Sequence, residues 1–137
     1  MSNRILEYIK NEITYLDGGM GSLLQGMGLA PGEYPERWNL SHPDRIVAVH
    51  KAYFDAGSNV VSANTFGANS LRFDGEELRA IISAAIQNVR RAMELSSGAQ
   101  EKFVALDIGP TGKLLAPIGD LDFEKAVSVF ADRKSVV

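Results

Sequence analysis

Three short apolar runs in this chain each close on small, polar and glycine residues. They read Tyr15-Leu16-Asp17-Gly18-Gly19, then Asn59-Val60-Val61-Ser62-Ala63-Asn64-Thr65-Phe66-Gly67, then Phe103-Val104-Ala105-Leu106-Asp107-Ile108-Gly109-Pro110. Near their ends stand two carboxylates (Asp17 and Asp107), an amide (Asn64), a hydroxyl (Thr65) and an aromatic ring (Phe66). Ionised carboxylates only accept hydrogen bonds, while amide and hydroxyl both donate and accept. Gathered in one place, these groups would form the floor and wall of a binding site. Each also has a structural reading. Asp17 before two glycines suits a turn, Asn64-Thr65 suits the cap of a strand-to-loop turn, and Asp107 suits a carboxylate satisfied by loop N–H groups.

What would gather them is the rhythm of the chain. The runs begin about 44 residues apart, and helical periodicity fills the stretches between. That is the pattern of βαβ units feeding a parallel sheet, in which ligands bind beyond the carboxyl ends of the strands. Strand one is centred on Tyr15-Leu16, strand two runs from Val60 to Asn64 and strand three from Phe103 to Asp107. Residues 3–13 set Ile5, Leu6, Ile9 and Ile13 on one stripe, predicting a helix laid against the bottom of the sheet. A short helix through Leu23, Leu24 and Met27 is stopped by Gly26 or Gly28. A loop over 28–40 carries Pro31, Gly32, Pro35 and Trp38, the sole tryptophan, which suits packing of that loop.

Ser41 is placed to cap the next helix, with Pro43 and Asp44 in its first turn and Gly57 as its stop. Its apolar face reads Ile46, Val47, Val49, His50, Tyr53 and Phe54, which predicts a hydrogen-bonded core histidine at position 50. The longest helix, roughly Glu76 to Ser96, repeats Leu78, Ile81, Ile82, Ala85, Ile86, Val89 and Met93 at core spacing. A last helix starts near Asp122, with Phe123, Ala126, Val127 and Phe130 on its inner face.

Composition removes several functions. A formal net charge of −3 leaves no basic patch for nucleic acid. No apolar run approaches the roughly 20 residues that span a bilayer, and Met1-Ser2-Asn3-Arg4 leads into an amphipathic stretch and not a signal sequence. The expected location is cytoplasmic. With no cysteine, neither disulfides nor thiolate metal sites form within the chain. His42 and His50 lack a carboxylate at helical spacing, so the expected metal set is empty. Asp17-Gly18-Gly19-Met20-Gly21 has neither the lysine of a phosphate loop nor the G-x-G-x-x-G spacing, which argues against a nucleotide site.

Five motifs in order carry a resemblance. They are Leu16-Asp17-Gly18-Gly19-Met20-Gly21, the segment from Trp38-Asn39-Leu40 to Pro43, and the segment from His50-Lys51-Ala52-Tyr53 to Ala56-Gly57. Asn64-Thr65-Phe66-Gly67-Ala68-Asn69 and Asp107-Ile108-Gly109-Pro110-Thr111-Gly112 complete the set. Together they resemble the opening of the homocysteine S-methyltransferase domain, the family of the homocysteine-binding module of cobalamin-dependent methionine synthase and of betaine–homocysteine methyltransferase. The wording of the last motif leans towards the methionine synthase branch.

The resemblance implies an α/β fold: about three β/α units, the N-terminal portion of a (β/α)8 TIM barrel of about 250 residues or more. Residues 1–137 would then be a single incomplete domain. Arg133-Lys134-Ser135-Val136-Val137 is either native helix or a foreign tail. The implied substrate is homocysteine, methylated on sulfur to give methionine. The implied binding residues are Asp17 for the ammonium, the Gly18 N–H for the carboxylate, Gly19 beside it, Asn64 and Thr65 to order their loop, Phe66 as a wall, and Asp107 to orient loops or face the methyl donor.

The family's zinc is held by three cysteines of later strands, two of them in a Gly-Gly-Cys-Cys run, and those ligands are absent here. No catalytic residue is therefore assigned, and the chain alone is expected to be inactive. Cobalamin and methyltetrahydrofolate are cofactors the resemblance implies for a parent protein. The donor itself is not written in these residues, since betaine and S-methylmethionine also serve in the family. The rival expectation is a non-enzymatic half-barrel that binds no ligand and self-associates through open sheet edges or its missing half.

Overall fold

The computed structural model describes residues 4–134. Residues 1–3 and 135–137, with the start of the expected first helix and the end of the tail, lie outside the described residues. Helix α1 spans Arg4–Asn11, α2 Gly21–Gly26, α3 Trp38–Ser41, α4 Pro43–Asp55, α5 Gly75–Leu95 and α6 Phe123–Lys134. Strand β1 is Val60–Ser62 and β2 is Phe103–Ala105, and a 3-10 turn over Pro35–Arg37 leads into α3. No helix among the described residues is long and apolar enough to cross a membrane.

The two strands pair in parallel with Val60 opposite Phe103, Val61 opposite Val104 and Ser62 opposite Ala105. The expected first strand contracts to a single parallel bridge, Leu16 to Val60. The reason lies in how its neighbours are bonded. The Asn59 side chain accepts from the Tyr15 N–H at 3.0 Å, and Asp17-Gly18-Gly19 turns away at once. Only the Tyr15 carbonyl, which accepts from Val60 N, and the Asp17 N–H, which donates to Val60 O, remain for the ladder. The segment order is nonetheless that of three successive βα units side by side. On the far side of β2 the ladder is open. Phe103 and Ala105 spend their main-chain groups on β1, so those of Val104 between them point to the free edge.

The core sits between the sheet and helices α4 and α5. Val61 and Ala63 meet Phe54, Ala85, Val89 and Ala92 there. A second cluster joins Leu24, Leu29, Trp38, Ile46 and Val49, and a third joins Ala68, Phe73, Leu78, Ile81 and Ile82. Helix α5 follows its apolar stripe and is capped by Asp74, whose carboxylate accepts from the Glu77 N–H at 2.9 Å. Helix α4 stops as expected at Gly57, whose φ of +107° is open to glycine without strain.

Several expectations need correction. Ser41 does not cap α4. It ends α3, its hydroxyl turns back to Arg37 O and pairs with His42 Nδ1, and His42 occupies the cap position without a side-chain capping bond. Proline at the start of α4 has no N–H to satisfy, so the loss is small. The stripe of α1 does not lie on the sheet: Leu6, Ile9 and Ile13 are at least half exposed. The helix is held instead by Tyr8 against the Phe103 ring at 5.6 Å and by an Arg4–Glu101 ion pair. On α6 the buried residues are Ala126 and Val129, while Phe123 and Val127 face outward.

Candidate functional site

All seven candidate residues line one cavity of about 320 Å³ at the carboxyl ends of the paired segments. It lies at the lower end of the roughly 300–1,000 Å³ typical of small-molecule sites. Asp17 leaves the bridge at Leu16 and reaches across to β1. Its Oδ2 accepts from Ser62 N at 2.8 Å and its Oδ1 from the Ser62 hydroxyl at 3.2 Å. Burial pushes its pKa up. The two Ser62 bonds pull the other way, and the charge of Asp107 adds to the rise. A carboxylate so placed gains from a cation.

Gly18 and Gly19 are held by α4. The Tyr53 hydroxyl donates to Gly19 O at 2.7 Å, and a Cβ on Gly18 would stand 2.9 Å from the Tyr53 hydroxyl oxygen. Glycine at 18 thus leaves room for the Tyr53 ring, and with no side chain it lets the main chain itself line the cavity. Sequence reasoning gave Tyr53 to the apolar face of α4 and missed this contact.

Asn64 and Thr65 turn out to stitch the wall. The Asn64 side-chain amide donates to Pro35 O at 2.8 Å, and the Asn64 main-chain carbonyl accepts from Asn39 Nδ2 at 2.7 Å. Asn39 O in turn accepts from Asn88 of α5. Thr65 is fully buried and its hydroxyl donates to Asp107 O at 2.8 Å. Next to it, Gly109 N donates to Phe66 O at 3.0 Å, which leaves the Phe66 ring about half exposed. The loops after β1 and β2 are thereby tied to each other and to the Pro35–Ser41 segment.

Glu36 was not foreseen. It belongs to the Pro35–Arg37 turn, is 4% exposed and lines the same cavity. Its Oε1 accepts from Gly67 N at 2.6 Å, while Oε2 has no partner among the described residues. No local signal marks it, because the residue it bonds lies 31 positions away. Ser62 also joins the site unforeseen, through Asp17. His50 is wholly buried as expected, but the predicted hydrogen bond is missing at both ring nitrogens. Burial pushes its pKa down to about 4, so it is neutral at physiological pH.

Among the described residues, no three His, Cys, Asp or Glu side chains cluster as metal ligands. With no cysteine in the sequence, the donor set does not fit a zinc thiolate site.

Comparison with known proteins bears on the family and the fold. The family model described as homocysteine S-methyltransferase matches residues 14–137. Methionine synthase from Mycobacterium tuberculosis is 29% identical over 121 residues, covering 80% of this chain and 10% of that protein. Methionine synthase from Mycobacterium leprae matches to the same extent. Among solved structures, the metallated form of the homocysteine methyltransferase MmuM from Escherichia coli superposes with a TM-score of 0.79 at 21% identity. It takes in 98% of this chain and 52% of that one. The oxidized form gives 0.72 at 23% identity, covering 81% and 42%. These likenesses show the fold, and the chain spans about half the length of the solved relatives and about a tenth of the curated ones.

Proposed function

The chain belongs to the homocysteine S-methyltransferase family, and from that premise we propose that its cavity anchors the amino-acid end of homocysteine. The observation that carries the reading is the convergence of Asp17, the bare Gly18-Gly19 turn and Phe66 on one small cavity. In this reading Asp17 accepts from the substrate ammonium, a charge-assisted bond that offsets the burial of its carboxylate. The Gly18 N–H meets the substrate carboxylate, and Phe66 closes the side. Asn64, Thr65 and Asp107 hold the two loops in register, so the substrate sulfur points out of the cavity in one direction.

Methyl transfer also needs the homocysteine sulfur as thiolate, and the ordinary thiol pKa near 8.5 leaves little of it at neutral pH. Zinc supplies that activation in the family, but this chain's donors do not fit the metal. The proposed role of these residues is therefore substrate anchoring. Turnover, methyl-donor binding and any cobalamin or folate chemistry would belong to residues beyond them.

The test is Asp17→Asn. Asparagine keeps an acceptor for the Ser62 N–H, so the fold should hold while the charged bond is lost. Homocysteine affinity should fall by about 1.5–3 kcal/mol, or roughly 10- to 150-fold. Unchanged affinity with an intact fold would make Asp17 only a turn residue. The second reading, a half-barrel that self-associates and binds nothing, is favoured by the exposed Ile108, Leu114, Ile118 and Phe123.

A further inference from the structure

Two buried side-chain oxygens of the Pro35–Ser41 segment have no hydrogen-bond partner among the described residues, Asn39 Oδ1 and Glu36 Oε2, and of these two residues Glu36 lines the cavity. Glu36 is buried to 4% exposure and bonded through Oε1 alone. Its Oε2 meets no donor among the described residues, although the residue lines the cavity. No ion pair among the described residues includes it. Arg72 comes near, since a Cβ on Gly67 would lie 2.5 Å from an Arg72 guanidinium nitrogen and 2.6 Å from Glu36 Oε1, yet the two do not bond. A buried carboxylate left this way is costly, and a donor, above all a cationic one, relieves the cost. An ionised carboxylate has only acceptor capacity, so whatever completes Glu36 must bring N–H or O–H groups.

We infer that Glu36 is a second carboxylate anchor for the ammonium of an amino-acid ligand in this cavity, beside Asp17. Each carboxylate already takes its protein bonds through one element of the wall, Asp17 from Ser62 of β1 and Glu36 from Gly67 of the following loop. An ammonium carries three donors and is satisfied by two carboxylates and one further acceptor. Glu36 reaches the cavity from the Pro35–Arg37 turn, which α3 and Asn39 pin to the same loop through Asn39 Nδ2 bonds to Glu36 O and Asn64 O. The carboxylate is thus fixed before the ligand arrives and loses little freedom on binding.

The inference rests on the anchoring function proposed above, and one experiment separates the two. Homocysteine and its desamino analogue, γ-mercaptobutyrate, are titrated in reducing buffer into the unsubstituted chain and into Glu36→Gln. Glutamine keeps an acceptor for the Gly67 N–H. Glu36→Gln should weaken homocysteine by roughly tenfold or more and leave γ-mercaptobutyrate unchanged. Equal losses for both ligands, or no loss for either, overturn the inference while the anchoring function stands. No homocysteine binding by the unsubstituted chain overturns both. Should Glu36→Gln not fold, the side-chain carboxyl ¹³C resonance of Glu36 in the unsubstituted chain carries the test. It should move with homocysteine and stay with γ-mercaptobutyrate, and movement with both or with neither refutes the role.

Discussion

His50 makes the fold sensitive to acid in a calculable way. Its ring is fully buried in α4, neither nitrogen has a partner among the described residues, and burial lowers its pKa from 6.5 to about 4. The fold therefore keeps it neutral, while the unfolded chain binds a proton below pH 6.5. The stability this confers is whole above pH 6.5, drains as pH falls towards 4, and is exhausted below that. At 1.36 kcal/mol per pKa step, the full loss is about 3 kcal/mol. His50→Leu replaces the ring with an apolar side chain of similar size and removes the titration. At neutral pH it should be neutral or stabilising by about 1 kcal/mol, because two unpartnered polar atoms leave the core. Urea unfolding followed by the buried Trp38, measured from about pH 7 to about pH 4, gives the difference curve between the two proteins. It should rise in favour of His50→Leu as pH falls. A flat curve refutes the reasoning. So does a marked loss of stability at neutral pH, which would mean that the ring holds a partner.

Other predictions concern the loops, the edges and the metal. Gly109→Ala would set a Cβ 2.5 Å from Phe66 O and should cost about 1–3 kcal/mol in thermal unfolding. Gly26→Ala, with nothing within 4 Å, should be neutral or stabilising, and equal effects would refute the contact. The open β2 edge and the exposed Leu114, Ile118 and Phe123 should make the chain associate at micromolar concentration, and a compact monomer in sedimentation would count against this. Metal analysis after a chelator wash should find no stoichiometric zinc, and one retained equivalent would overturn the donor-set argument.

What the sequence made legible was whatever local patterning encodes. The α5 stripe, the Gly57 stop and the starts of β1 and β2 read correctly, because period and punctuation are short-range signals, while both strands end two residues short of the expected Asn64 and Asp107, where the chain turns into the loops that form the wall. The seven candidate residues line one cavity because successive βα units bring their loops to one end. The short strand expected at Tyr15-Leu16 contracts to one bridge because the Asn59 side chain takes the place of a ladder partner. Ser41 failed as a cap because Pro35–Ser41, rich in loop residues, winds into helical turns first. The α1 stripe and the α6 face were misread for a common reason: an apolar stripe shows that a helix has a face, not whether anything covers it. Glu36, Tyr53 and the bare ring of His50 were invisible, since each is defined by what arrives from elsewhere in the chain.

The stitching of the wall also governs when the site comes into being. Its ties join residues far apart in sequence: Asp17 to Ser62 across 45 positions, Thr65 to Asp107 across 42 and Asn64 to Pro35 across 29. Closing loops of such similar length costs nearly the same entropy each time, because the cost grows only with the logarithm of length. None of the ties is then favoured to form well ahead of the others, and no short peptide from this chain preorganises the cavity. During synthesis Asp17 and Ser62 emerge long before Asp107, so the pocket completes only after β2 has left the ribosome. In the folded state the same ties make the loops open together. The amide protons of Ser62, Gly67 and Gly109 should then exchange at a common rate, as one cooperative unit.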